Sequence, residues 1–465
     1  MLIELLQLIS EYCSIIDQIK ICNLNKNCYS QIKILKLECK YANDNVLKQP
    51  KFKYLKELHV NCTLIKDINH LSNLEILISN YNTVLTDDNI KNLLKLKTLE
   101  IAGSGNIENI DHLINLENLD CSWGPCKISD KSIQKLDKLK KLNACCNNKI
   151  KNISHLKNLE ELNCTGYCGV SDIDIKHLSK LKILKAKDNN KIIDINHLTE
   201  LEELNCESSC GINDVGIKDL CKLKILNASG NEKITNINHL SNLTELYCTQ
   251  KCGISDSGIS CLENIIILKA LNNPKIKNIN QLQKLRYLDC SYDSGICDEG
   301  IKDLLNLKIL IANNNTNIEN INNLINLEEL ECKYECGVYD DTITNLLKLK
   351  KINVHGNEKI QNINHLVNLE DLVCSSDAEN NKYICGISTN GIKGLHKLEK
   401  LNASNNIKIR NINHLINLKT LICSGKCGIS DDDIKNLFKL KFIDYKNNLK
   451  IKNFKHLVNL NEVCS

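Results

Sequence analysis

Residues 201–222 read LEELNCESSCGINDVGIKDLCK and residues 223–242 read LKILNASGNEKITNINHLSN. Each half opens with Leu-x-x-Leu-x and a small or thiol residue, Cys206 in the first and Ala228 in the second. They are two versions, 22 and 20 residues long, of one unit. The closing phrase NINHLxNLxxL recurs in both directions along the chain. It places His at 70, 112, 155, 197, 239, 365, 414 and 456, with Gln281 and Asn323 in the same slot, at spacings of 42 or 43 residues and once 49. A coil this short cannot bury its own apolar face, so neighbouring coils must stack and share one core.

This pattern resembles the leucine-rich repeat, with two of its classes in alternation. The 20-residue half resembles the bacterial-internalin type, L-x-x-L-x-L-x-x-N-x-x-I-x-x-I-x-x-L, with Ala228 at the second strand position and Asn231 in the asparagine ladder. The 22-residue half, with CGINDVGIKDL or CGISDSGISCL, resembles the cysteine-containing type of F-box proteins, departing by one residue between Cys and Ile. The leading Leu or Ile recurs from Ile32 to Leu460. The resemblance implies an α/β fold, a leucine-rich-repeat solenoid shaped as a horseshoe of about 20 coils, with a parallel concave sheet. The longer half should carry a short helix or turn on the convex side, because Ile217, Leu220 and Leu223 follow at three-residue steps after Asp214 as N-cap. The shorter half is expected to use a tight 3₁₀-like connection. Residues 32–465 are thus expected to form one solenoid, preceded by a helical segment over 1–31.

Composition agrees with a stacked repeat. Aromatics are 4% of the 465 residues, so columns of Leu, Ile, Ala and Cys must fill the interior. The N-terminal MLIELLQLISEYC has Glu4 and Glu11 in place of a basic region, and no uncharged apolar run approaches ~18 residues. These features predict an intracellular protein, in cytoplasm or nucleus, without a membrane span. Net charge is +4 from 60 basic and 56 acidic residues, too balanced to favour nucleic acid.

The repeated polar residues look structural. Equivalent histidines recur two coils apart, roughly 10 Å at ~4.8 Å per strand, too far to share a metal. A role in satisfying loop carbonyls fits them better, since Gln281 and Asn323 replace them. The columns Cys121, Cys164, Cys206, Cys248, Cys290, Cys332, Cys374, Cys423 and Cys126, Cys168, Cys210, Cys252, Cys336, Cys385, Cys427 lie equally far apart. That distance exceeds the ~7 Å Cα limit of a disulfide, so they read as small apolar core residues. Lys140, Lys182, Lys224, Lys308 and Lys350 alternate with Glu117, Glu160, Glu202, Glu328 and Glu370, which predicts charge pairs between neighbouring coils. No Gly-rich phosphate loop, HExxH helix or G-x-S-x-G elbow occurs. The expectation is a protein without catalytic residues, cofactor or metal.

Two irregularities suggest where a protein target would bind. SSDAENNKYI (375–384) lengthens one coil by seven residues as the chain leaves the strand. Trp123, Tyr247, Tyr287, Tyr292 and Tyr334 are expected to face outward on the concave side, as a candidate target-binding set. Before the repeat, ELLQLISEYC (4–13) places Leu5, Leu6, Ile9, Tyr12 and Cys13 on one helical face, and DQIKICNLNKNCYSQI (17–32) offers a second after Asp17. This segment resembles an F-box. Glu4, Leu5, Leu6, Ile9, Tyr12 and Cys13 match E-L-L-x-x-I-x-x-Y-L, and Leu24, Asn25, Lys26 and Tyr29 match V-N-K-x-x-Y.

With the cysteine-type coils, the chain resembles F-box/LRR-repeat proteins, and its abundant Asn, Lys and Ile resemble those of amoeba-infecting giant viruses (mimivirus-like), which would place it in the host cytoplasm. The resemblance implies a substrate-recognition adaptor of a Skp–cullin–F-box ubiquitin ligase. Leu5, Leu6, Ile9 and Tyr12 would meet a Skp-type adaptor, and the concave face would hold the target. The alternative is a binding scaffold whose N-terminal helices only cap the repeat. The last coil closes on NLNEVCS (459–465) with no amphipathic capping helix, so weak self-association through this edge is also expected.

Overall fold

A computed structural model describes residues 5–7, 15–22, 24, 31–38, 44–60, 65–377 and 382–464. Every coil supplies one three-residue strand whose middle residue is the second Leu of Leu-x-x-Leu. The flanking residues point the other way, as the two-residue period of a strand requires. The chain forms two compact units, Met1–Leu223 and Lys224–Ser465. In the first, strands run from Lys36–Glu38 to Glu203–Asn205, all parallel and in register, with Leu142, Leu162 and Leu184 opposite one another. In the second they run from Ile225–Asn227 to Glu462–Cys464, where Leu268, Leu288 and Leu310 align in the same way. Each coil travels in the same sense, so its strand meets its neighbour parallel.

The leading Leu lies two residues ahead of the strand rather than in it. Leu201 precedes Glu203–Asn205 and is fully buried. Each such Leu or Ile contributes ~1.5–3 kcal/mol by leaving water. Phe52 is the one buried aromatic hydrophobe among the described residues, and aliphatic side chains and thiols make up the rest of the apolar core.

Among the described residues between Asp87 and Ile434, single-turn helices occur only in the longer halves, such as Asp172–Ile175 in the first unit and Asp256–Ile259 in the second. The shorter halves there use i→i+3 turns, Leu198 N to Ile195 O (2.9 Å) and Leu201 N to Leu198 O (3.0 Å) among them. The cap differs from the sequence expectation. Asn213, extended at φ −134°, accepts from the Val215 and Gly216 amides, and Asp214 is already inside the turn. Aspartates in the Asp214 slot serve the next coil instead: Asp130 Oδ1 accepts from the Lys151 and Asn152 amides at 2.7 and 2.9 Å.

Before the repeat, an α-helix covers Ile15–Cys22, beginning two residues ahead of the expected Asp17. Gln7 meets the first coil in both directions, donating from Nε2 to Lys33 O (3.1 Å) and accepting at Oε1 from Lys33 N (2.7 Å). Leu5 is exposed and Leu6 half-buried, while Ile9 and Tyr12 lie outside the described residues. Among the described residues no helix is long and apolar enough to cross a membrane.

Candidate functional site

The repeated histidines and cysteines are absorbed by the coils. His155 Nε2 donates to Ile133 O (3.1 Å), His197 to Ile175 O (3.0 Å) and His365 to Ile343 O (3.1 Å). Each ring therefore satisfies a carbonyl at the C-terminal end of the single helical turn in the coil before it. Cys164 Sγ donates to Lys185 O (3.5 Å) and Cys248 Sγ to Lys269 O (3.6 Å), both fully buried. Burial pushes both thiols well up and Cys252 up to about 11, which makes the thiolate scarce at these three positions.

Asparagine supplies a further row. Asn189 Nδ2 donates to Cys164 O and Val170 O, both at 3.1 Å, and its Oδ1 accepts from Lys191 N.

The sheet's open face is polar. Ahead of the strands the expected charge pairs form: Lys140–Glu117 at 2.7 Å, Lys182–Glu160 at 3.0 Å, and Glu328 between Lys308 (2.9 Å) and Lys350 (3.0 Å). The two ammonium groups hold the Glu328 carboxyl down to about 2. In the first unit the face has a cavity of about 260 Å³ lined by Glu100, Asp120, Lys141, Glu161 and Lys185 among others. In the second, Lys269 Nζ sits over the rings of Tyr247 (5.2 Å) and Tyr287 (5.7 Å), and Tyr247 Oη donates to Glu245 (2.9 Å). These two tyrosines stand on strands and face outward, as expected.

Trp123, Tyr292 and Tyr334 do not. Each lies three residues past a strand, in the left-handed conformation at φ +71°, +59° and +58°. That slot is the tight turn by which a coil leaves the sheet, and Gly103, Gly166, Gly230, Gly356 and Gly425 fill it elsewhere. The expected five-residue aromatic set is therefore divided. Trp123 is in the first unit; in the second, Tyr247 and Tyr287 are on the sheet face, and Tyr292 and Tyr334 are at the rim.

At Tyr334 the rim becomes a pocket. The lengthened coil returns Tyr383 against Tyr334, centroids 4.9 Å apart and edge-on, with His355 on the other side of Tyr334 at 5.2 Å. Gly356 makes this approach possible, because a Cβ there would lie 2.7 Å from that of Tyr383. His355 Nδ1 meets Ser375 Oγ at 2.7 Å and Nε2 meets Asp377 Oδ1 at 3.1 Å. Ser375 is only 6% exposed, so this chain of bonds fixes the ring and does not present a nucleophile. Tyr334, Tyr383, Lys382, Glu335 and Glu358 line a cavity of about 330 Å³. The middle of the insertion, residues 378–381, lies outside the described residues. Sequence reading singled out the insertion and Tyr334 but missed His355, whose spacing in the chain carries no signal.

One cluster has metal-ligand chemistry among the described residues: Glu38, Glu57 and His59 bring their donor atoms within 4.8 Å of one another. Lys36 Nζ already lies 3.0 Å from Glu38 and 2.8 Å from Glu57, which satisfies both carboxylates as an ion-pair network.

No protein-family model matches the chain, and no curated protein does. Solved structures are similar at low identity. The functional domain of InlJ from Listeria monocytogenes, which includes a cysteine ladder, is 19% identical over 81% of this chain and 74% of its own, at a TM-score of 0.42. The Leptospira interrogans LRR protein LIC12759 is 20% identical over 88% of this chain and 100% of its own, at 0.45. An internalin (inlF) from Listeria monocytogenes is 20% identical over 82% and 89%, at 0.33. With its parallel in-register strands and coils of 20 and 22 residues, the chain has the leucine-rich-repeat fold.

Proposed function

We propose that this protein is a protein-binding module that recognises its target on the open face and rim of the second unit. The observation that carries this reading is the grouping of rings in a chain nearly devoid of them. Tyr247 and Tyr287 flank Lys269, while Tyr334, His355 and Tyr383 wall a rim pocket. Aromatic side chains beside cations are what protein interfaces use as anchors.

The finer reading is a substrate-recognition adaptor of a Skp–cullin–F-box ubiquitin ligase, acting by raising the local concentration of target lysines near the ligase. It rests on the F-box resemblance of residues 4–29. Full-length protein expressed in eukaryotic cells should co-purify a Skp-type adaptor and a cullin. Leu5→Asp/Tyr12→Asp should lose both, because Leu5 is exposed and available. Recovery of neither protein, or equal recovery by the variant, overturns the ligase reading.

The two hydrogen bonds between Gln7 and Lys33 favour the alternative, in which the N-terminal segment seals the first coil as a cap. Gln7→Ala then lowers the melting temperature, and an unchanged melting temperature argues against the cap.

A further inference from the structure

From the strand Glu57–His59 onward the slot four residues before each strand is exposed in both units, and its chemistry changes along the chain. In the first unit it holds Leu94 and Ile114, then polar or small residues such as Asp137, Lys157 and Thr199. In the second unit it begins with Ser241, Glu263 and Gln283 and then turns apolar. Leu305 (49% exposed), Ile325 (48%), Leu347 (53%) and Val367 (50%) occupy four successive coils. After His396, Ile416 (55%) and Phe438 (54%) continue the row. The coil interior does not require this, since the preceding coils fold with Ser, Glu or Gln there.

These side chains are held side by side. The strands that follow are paired in register, Ile309 with Glu329 and Glu329 with Lys351, so the slot repeats at ~4.8 Å. The next residue fixes the spacing: Asn326 Nδ2 donates to Leu305 O (2.8 Å), Asn368 to Leu347 O (2.9 Å) and Asn417 to His396 O (2.8 Å). In alternate coils that flank holds Lys348, Lys397 and Lys439, which donate to the Asn side chains at 2.6–2.7 Å. Among the described residues none of the three has a carboxylate within ion-pair distance.

We infer that this apolar row is a docking surface for an amphipathic helix of a partner protein, one that carries carboxylates along one flank. A row one side chain wide is far narrower than the ~800 Å² per partner of a standard protein–protein interface, which disfavours a second copy of this chain. It suits the single apolar stripe of a helix, whose turns advance ~5.4 Å against ~4.8 Å per coil. The Lys348, Lys397 and Lys439 ammonium groups supply the complementary charge. From Leu305 to Phe438 six coil steps span about 29 Å, the length of about 19 helical residues. This surface is separate from the tyrosines of the proposed target site and stands without them.

The test is selection of a phage-displayed library of 20-residue helix-forming peptides on the full-length protein, followed by affinity measurement on synthetic winners. Peptides with apolar residues at i, i+3/i+4 and i+7 and Asp or Glu on one flank should be enriched. Leu347→Ser/Ile416→Ser/Phe438→Ser should weaken them at least tenfold, Lys348→Glu/Lys397→Glu/Lys439→Glu should do the same, and Tyr334→Ala should leave them unchanged. The substituted Leu, Ile, Phe and Lys side chains are exposed, and circular dichroism confirms that each variant is folded. Enrichment without this pattern, or equal binding by the serine variant, overturns the inference. So does row-dependent binding to phosphatidylserine vesicles in place of peptide, or row-dependent dimerisation in sedimentation equilibrium.

Discussion

The interior and the surface of the coils follow different rules. Inside, one residue class fills each column in coil after coil: Leu at the strand centre, Asn under the turn, and Cys or Ala beside it, all buried. Outside, the slot four residues before the strand passes from Glu263 to Leu305 and on to Phe438 without altering the backbone bonds around it. The interior repeats because each coil must present the surface on which the next one stacks. The exterior is free of that demand, so a run of like residues there needs a cause outside the fold.

This contrast can be broken by substitution. Leu310→Ala, at a strand centre, should cost ~2–5 kcal/mol in urea unfolding, the ordinary price of a core cavity. A loss below ~1 kcal/mol would mean that the column is not a packed core.

Asparagine offers a sharper test, because the same side chain makes the same kind of bond inside and outside. Asn315 is buried, donates to Cys290 O (2.7 Å) and Ile296 O (3.2 Å) and accepts from Asn317 N (2.9 Å). Asn326 is half-buried, and its bond to Leu305 O is open to solvent. Asn315→Ala strands buried carbonyls at ~1–3 kcal/mol each, whereas water replaces the lost partner in Asn326→Ala. Comparable losses in the two variants would erase the distinction.

Ser79 reads the same rule in reverse. It stands in a cysteine slot, fully buried, and its Oγ has no partner among the described residues. Ser79→Cys should raise stability by ~1 kcal/mol, measured by urea unfolding, because a thiol tolerates that site better than an orphan hydroxyl.

The smallest effect is electrostatic. Lys308 and Lys350 hold the Glu328 carboxyl at about 2 against an ordinary 4.5, so its contribution is fully present above pH 4.5 and is lost as pH falls towards 2. Glu328→Gln should flatten that part of the stability–pH curve and leave the curve at pH 7 and above parallel to the parent's. Being partly exposed, the group is worth little at any pH.

How much of this was legible in the sequence follows the same division. The coil period, the parallel strands, the helices of the longer halves and the Lys–Glu pairs could be read because each recurs at a fixed spacing. The cap at Asn213 was misplaced by one residue, since two adjacent polar residues compete for it and only backbone angles choose between them. Trp123, Tyr292 and Tyr334 were put on the wrong surface because the left-handed turn begins three residues past the strand, where side-chain alternation stops applying. His355 and Tyr383 come together through an insertion and have no repeat to announce them.

The central claim is that recognition resides in exposed side chains that the fold does not need. Quantitative affinity purification should compare the full chain with Lys269→Ala/Tyr334→Ala/Tyr383→Ala from the same cells, alongside their melting curves. The account predicts melting temperatures within about 3 °C of each other and loss of at least one stoichiometric protein from the variant. The same proteins in the same amounts on both chains would contradict it.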